Sequence, residues 1–255
     1  MAKGHKDKIA IITGAANGIG AAFAKRLAED GVNIAVVDLA EGGPTMQVVQ
    51  AIGRNAIAVQ CDVAKPDAVA KMAATVKKEL GAPDIVINCA GIFPQRAFLE
   101  LTYDEWRKVL STNLDGTFLV TSAFAPGMVQ KKWGRVVNMS SSTLGSVTSG
   151  FAHYMSSKAG IVGFTRAIST DLAPYGITVN AISPTLTRSP GTLARSPRAQ
   201  FKSMDEEFEA VAQTQAIKRV AVPEDIVGTV SFLTSDDAAF ITGQTFNVDG
   251  GRVRT

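Results

Sequence analysis

The chain reads as one α/β domain, a doubly wound parallel sheet with helices on both faces, and three observations carry that reading. Short apolar runs alternate with longer amphipathic stretches along the whole sequence. A glycine-rich turn follows directly on the first apolar run. No Pro- or Gly-rich linker, internal repeat or low-complexity tract divides the chain, so residues 1–255 are expected to fold as a unit. Alternating strands and helices build βαβ units, and right-handed crossovers then place helices on both faces. A length of 255 residues is large for one domain but within the range of a single α/β unit.

The strand candidates, in order, are KIAIIT (8–13), NIAVVD (33–38), AIAVQC (56–61), DIVINC (84–89), GRVVNM (134–139), ITVNAI (177–182) and QTFNV (244–248). Most are separated by stretches long enough for a helix. One segment breaks the rhythm: SPTLTRSPGTLARSPRAQFKSM (183–204) holds three prolines and four basic residues without clean periodicity. A long irregular segment in a compact domain is usually functional or mobile. We expect a mobile substrate lid over about 186–208, with its arginines and Lys202 at the rim and their charged ends in water.

Composition removes several function classes. The net charge is only +3 and acidic and basic residues interleave, so no face for nucleic acid is expected. No stretch approaches ~18 uninterrupted apolar residues, so no membrane span is expected. MAKGHKDKIA lacks the apolar region of a signal peptide. Two cysteines, Cys61 and Cys89, make no disulfide framework, and a reducing, cytoplasmic setting is expected.

The first strand, turn and helix read KIAIIT-GAANGIG-AAFAKRLAEDG. Gly14, Gly18 and Gly20 allow a tight turn and close backbone approach to phosphate, which the helix N-terminus can hold with oriented N–H groups. The second strand ends in Asp38, eighteen residues after Gly20. A carboxylate there accepts hydrogen bonds from a ribose diol and repels a 2′-phosphate, which favours NAD over NADP. Asp62, at the end of the third strand, is placed to meet the adenine amino group. Asn88, Ala90 and Gly91 sit in NCAG at the end of the fourth, where small residues let a backbone pass close to a cofactor.

Chemistry is concentrated in YMSSKAG. Tyr154 and Lys158 are four residues apart and share one face of a helix. A phenol titrates near ~10 in water, and a close positive charge favours its ionised form. The pair suits taking a proton from an alcohol as its hydride leaves for a dinucleotide. The cofactor carries the redox chemistry, so no metal is required, and His5 and His153 lack ligand spacing.

Together, TGAANGIG, the aspartate ending strand two, NCAG, Asn113, Ser141, Tyr154-x-x-x-Lys158 and VDGG (248–251) resemble the short-chain dehydrogenase/reductase family over nearly the whole chain. The resemblance implies a Rossmann-like domain with a seven-stranded parallel sheet, assembled into a homotetramer. It implies Asn113, Ser141, Tyr154 and Lys158 as the catalytic set. Tyr154 would be the proton-transfer group, Lys158 would lower its pKa and bind the nicotinamide ribose, Ser141 would hold the substrate oxygen, and Asn113 would support a water reaching Lys158. It extends the cofactor set to Asn17, Ile19, Leu39, Val63, Pro184, Leu186 and Ser189, and counts Tyr154 and Lys158 in it as well. Two departures stand out: Cys89 replaces the family's second asparagine, and Thr185 replaces the glycine after Pro184. PTLTRS, the HY dipeptide and the ending GGRVRT resemble enzymes that oxidise 1-phenylethanol-type secondary alcohols.

The serine admits two registers. The thirteen-residue spacing to Tyr154 selects Ser141, whereas an S-x-x-G pattern ending at Gly145 selects Ser142. The spacing to Tyr154 is preferred, because serine and tyrosine must meet at one oxygen. Loops after strands four to six offer Phe93, Leu144, Val147, Phe151, Leu186, Leu193 and Phe208 for an apolar pocket. Arg188, Arg195, Arg198 and Lys202 would instead greet an acidic substrate.

The expected activity is NAD-dependent interconversion of a small aryl or cyclic secondary alcohol and its ketone. The alternative is a 3-oxoacyl thioester reductase, which would need a basic docking patch and would more naturally use NADPH, which Asp38 opposes. A rival of another class is a protein that senses NAD without turnover.

Overall fold

The computed structural model describes residues 3–254; Met1, Ala2 and Thr255, at the ends of the expected domain, lie outside them. Seven strands form one parallel sheet: β1 (Ile9–Thr13), β2 (Asn33–Asp38), β3 (Ala56–Gln60), β4 (Ile85–Asn88), β5 (Gly134–Met139), β6 (Ile177–Pro184) and β7 (Thr245–Val248). Their spatial order is β3-β2-β1-β4-β5-β6-β7. All seven expected strands form, with ends displaced by at most two residues. The largest shift is at β6, which runs on to Pro184 because Ser183 and Pro184 still pair with Asn247 and Val248 of β7.

Among the described residues nine α-helices connect and flank the strands: α1 (Gly18–Glu29), α2 (Gly43–Ala51), α3 (Pro66–Glu79), α4 (Tyr103–Leu110), α5 (Gly116–Lys131), α6 (Ala152–Leu172), α7 (Pro190–Leu193), α8 (Met204–Gln213) and α9 (Glu224–Leu233). Strand side chains alternate between two faces, and each face builds its own core. Ile12, Ile34, Val36 and Ile87 pack with Phe23 and Leu27 of α1 and with Val230 and Leu233 of α9. Ile11, Ala35, Val37 and Val86 pack with Met72 and Val76 of α3 and with Phe124 and Met128 of α5. Both faces are covered, which is why the strands read as nearly continuous apolar runs.

Strand order reverses between β1 and β4, and ligands in such sheets bind where the carboxyl ends of the strands part. Here that is the junction of Gly14 with the Asn88–Gly91 segment, since Thr13 pairs with Asn88. Among the described residues, no helix is long and apolar enough to cross a membrane.

The segment 186–208 holds two helices that its sequence does not announce. Ser189 caps α7, its hydroxyl accepting from the Thr192 N–H, and Ser203 caps α8 in the same way through Glu206. Arg188 N–H donates to the Ala221 carbonyl, tying the start of the segment to the chain before α9.

Candidate active site

The glycine turn is built by close contact. Gly14 (φ +67°) faces Ala90, where an added Cβ would come within 2.8 Å of the Ala90 backbone, and a Cβ on Gly20 would collide with the Gly14 carbonyl. Gly18 (φ +57°) lies against Ser189, whose Cβ would be 3.4 Å from its own. The Thr13 hydroxyl accepts the N–H groups of both Cys89 and Ala90, at 3.1 Å each, so β1 holds the NCAG segment in place. Thr13 was missed in the sequence; only its place as the last strand residue before the glycine turn hinted at it.

From this junction a cleft of about 730 Å³ opens, lined by Gly14, Asn17, Asp38, Leu39, Asp62 and Val63, with Ala90 and Gly91 at its floor. Asp38 takes the Ala16 N–H on one carboxylate oxygen (2.9 Å) and the Ala40 N–H on the other (3.0 Å). Each oxygen keeps lone-pair capacity. Leu39 is largely exposed beside it, as an adenine platform would be. Asp62 accepts from Ala64 N–H and faces the same cleft. These residues fit a dinucleotide: a cradle that admits only glycine, a carboxylate for a ribose diol and an apolar wall.

A second cavity, about 170 Å³, continues toward the β5 and β6 ends and is lined by Ile19, Gly91, Ser141, Tyr154, Lys158, Pro184 and Leu186. Tyr154 and Lys158 are one turn apart on α6, the Lys158 Nζ lying 5.7 Å from the Tyr154 ring centroid. Phe93 and Phe151 stand edge-on to Tyr154 at 6.2 and 5.9 Å, fixing its ring between them. Lys158 donates to the Met139 carbonyl at 2.7 Å. Burial lowers its pKa to about 8.

The Tyr154 phenol departs from expectation. Lys158 was expected to lower its pKa, yet burial raises it, and only a hydrogen bond from Ser141 pulls it back down. The reason is geometric: the ammonium sits toward the ring and spends a proton on Met139, so desolvation of the phenolate prevails. Cys89 lies against the same cavities, and burial pushes its thiol up to about 12. That thiol stays protonated and unreactive at neutral pH.

Of the two serines, Ser141 faces the phenol. Its oxygen accepts from the Thr143 hydroxyl at 2.8 Å, and its hydroxyl lies close enough to the phenol to favour the phenolate. The Ser142 hydroxyl is buried without a partner. Ser141→Ala is therefore expected to lower kcat/KM by about 10- to 100-fold, the loss of one hydrogen bond to developing charge. Ser142→Ala should cost far less. Steady-state kinetics on both variants checks this, and a larger loss at Ser142 would reverse the assignment.

Asn113 lies behind the site, fully buried in a π-turn (Ser111–Asp115) that interrupts the passage from α4 to α5. Such π-bulges recur at functional sites. Its amide accepts the Ile92 N–H (2.8 Å) and donates to the Ile92 carbonyl (2.9 Å) and the Ser157 hydroxyl (3.0 Å). A Cβ on Gly91 would lie 3.2 Å from the Asn113 oxygen and 3.6 Å from Lys158 Nζ, so Asn113 shapes the floor under the lysine. The Asn88 side chain points away from the cleft, donating to Thr121 (2.9 Å) and Asn138 (2.8 Å). Only its backbone remains for the cofactor.

The lid expectation needs correcting in its details. Arg195 and Arg198 do not hold their charges in water at the rim; both turn inward onto Glu207, which is 1% exposed. Arg188 pairs with Asp205 at 2.8 Å and lies over Phe208, which is buried beneath it. Leu193 and Val147 are exposed and do not line the cavity, nor does Leu144. Phe93, Phe151 and Leu186 do.

A family model described as enoyl-(acyl carrier protein) reductase matches residues 14–252. The chain belongs to the short-chain dehydrogenase/reductase family. It is 36% identical to the short-chain reductase protein NovJ of Streptomyces niveus, over 97% of this chain and 94% of that one. It is 37% identical to a 3-oxoacyl-[acyl-carrier-protein] reductase of Synechocystis, over 96% and 97%. A candidate short-chain alcohol dehydrogenase from Sinorhizobium meliloti superposes with a TM-score of 0.90, at 32% identity over 97% of this chain and 96% of that one. The short-chain dehydrogenase/reductase is thus an oxidoreductase of a family built around a nicotinamide cofactor.

Proposed function

We propose that the protein interconverts a ketone and a secondary alcohol with NAD(H). The observation that carries this reading is the single cavity shared by Tyr154, Ser141 and Lys158 with Ile19 and Gly91 of the cofactor loops. Bound in the cleft, a nicotinamide would supply or accept the hydride. In the reducing direction the Tyr154 hydroxyl gives its proton to the substrate oxygen, and in oxidation the phenolate takes it. Ser141 donates a second hydrogen bond to that oxygen. The Lys158 ammonium, held by the Met139 carbonyl beside the Tyr154 ring, would bind the nicotinamide ribose and keep positive charge near the reacting centre. Phe93, Phe151 and Leu186 keep water from the reacting centre. The unpaired thiols of Cys61 and Cys89 support a reducing, cytoplasmic setting.

For the substrate, the names of the relatives favour a carbonyl β to a carboxyl derivative, as in 3-oxoacyl thioesters, over a small aryl ketone. The aryl reading rests only on Phe93, Phe151 and Leu186 in the wall. NADH consumption with a 3-oxoacyl thioester and with acetophenone, compared at equal concentration, separates the two. Absence of turnover with these and with every ketone of a wider panel, free keto acids included, would contradict the whole reading.

The lowered Lys158 pKa sets a pH profile. Below about 8 the ammonium is charged, and above it the charge is lost. The raised phenol pKa keeps Tyr154 protonated in the same range. Reduction needs both protons, so its kcat/KM should be level near neutrality and fall as pH rises through about 8. Oxidation needs the phenolate and should rise with pH. A reduction rate that climbs through that window would refute this assignment of protons.

A further inference from the structure

The cavity that holds Tyr154 and Ser141 is also lined by Arg195, Arg198, Arg252 and Glu207. Three guanidinium groups there face one carboxylate. Glu207 has no capacity left for the third. Its Oε1 accepts from Arg195 Nη2 (2.5 Å) and Arg198 Nε (2.8 Å), and its Oε2 from Arg195 Nη1 (3.1 Å) and the Arg198 backbone N–H (2.9 Å). Two carboxylate oxygens offer about four lone-pair sites, and all four are taken.

Arg252 has no carboxylate within salt-bridge distance among the described residues. The acid that precedes it, Asp249, is 3% exposed and is committed to the backbone, accepting the N–H groups of Gly251 (3.0 Å), Arg252 (3.2 Å) and Val253 (2.9 Å). Those bonds fix the turn that carries Arg252. Gly250 and Gly251 supply its left-handed backbone, at φ +66° and +77°. Val253 packs so closely on Gly145 that a Cβ there would collide with it, and Gly145 ends the short helical turn Ser142–Gly145 that follows Ser141. The arginine is therefore held on a rigid turn docked against the catalytic-serine turn, with its charge facing the reaction cavity.

We propose that the substrate carries a carboxylate, and that Arg252, backed by Arg198, receives it. This rests on the hydride-transfer reading above and narrows it: the carboxyl group beside the reacting ketone is a free acid rather than a thioester. A planar guanidinium matches a carboxylate in geometry as well as charge. Burial and the neighbouring Arg198 charge disfavour the protonated guanidinium of Arg252, Asp249 offsets them in part, and a bound anion would favour it further. Arg195 and Arg198 already neutralise Glu207, so the incoming acid meets a net positive wall.

The test compares methyl ketones that bear a terminal carboxylate on spacers of increasing length with the matching primary amides and phosphonates. At one spacer length the acid should exceed its amide in kcat/KM by about 10- to 100-fold, the worth of one charge-assisted hydrogen bond. Arg252→Gln should collapse that ratio toward unity, and Arg252→Lys should restore part of it. Thermal melting confirms that both variants fold. Equal rates for acid and amide at every length, a preference that survives Arg252→Gln, or a phosphonate preferred over the carboxylate would overturn the proposal. Calorimetric binding of acid and amide to the protein with NADH keeps the two readings apart. Acid-selective binding without turnover would remove the hydride-transfer reading and leave the anion site standing. Turnover without acid selectivity would remove the anion site alone.

Discussion

Tyr154→Phe should lower turnover by about 10²- to 10⁴-fold, the usual cost of losing a general acid–base group. The change removes one oxygen and keeps the ring that Phe93 and Phe151 hold edge-on. The fold and the cofactor cleft should therefore be undisturbed, because Tyr154 lines only the second cavity. Binding of NADH, followed by its fluorescence, should change little. Lys158→Ala provides the contrast. It removes a buried ammonium that bonds the Met139 carbonyl and lies 5.7 Å from the phenol ring centroid, so both kcat and cofactor affinity should fall. A Tyr154→Phe enzyme keeping half its rate would place the proton transfer elsewhere in the cavity.

Asp38 should give a preference for NAD over NADP of about 10- to 100-fold in kcat/KM, the scale of one charge-assisted hydrogen bond gained or lost. Its two oxygens are held by Ala16 and Ala40 N–H groups, so the carboxylate cannot swing away from a 2′-phosphate. Asp38→Ser should lower NAD efficiency and raise NADP efficiency, narrowing or reversing the ratio. Paired kinetics with the two cofactors reads this directly. Better use of NADP by the unaltered enzyme would assign the phosphate to Lys65, Arg107 or Lys108, which line the same cleft.

Much of this architecture was legible in the chain because it rests on local signals. Runs such as NIAVVD are buried on both faces, so apolar continuity marks the strand and its last polar residue marks the cleft. The four-residue spacing of Tyr154 and Lys158 survives translation into a helix unchanged. The thirteen residues from Ser141 to Tyr154 bring the serine hydroxyl close enough to the phenol to favour its ionised form.

What escaped is nonlocal. Glu207 looks like a surface residue in MDEEFEA, and nothing in that string says that Arg195 and Arg198 fold back to bury it. The motif marks Asn88 for the cofactor without saying where its side chain goes; the alternation of β4 turns it toward α5 and β5, where its amide donates to Thr121 and Asn138. The direction of the Tyr154 shift depended on where Lys158 spends its proton, which spacing alone cannot tell. Arg252 sits beyond the VDGG motif, and only the docking of Val253 on Gly145 brings it to the cavity.

The central claim is that this cavity transfers hydride to a carbonyl, with Tyr154 as proton donor. The most direct measurement is a single incubation of the full chain with C4-deuterated NADH and the ketone panel, followed by mass analysis of the alcohol. The unaltered enzyme should form an alcohol carrying one deuterium at the carbinol carbon, and Tyr154→Phe should form almost none. NADH that binds with no labelled alcohol formed from any ketone would contradict it and identify a protein that senses the nucleotide without turning it over.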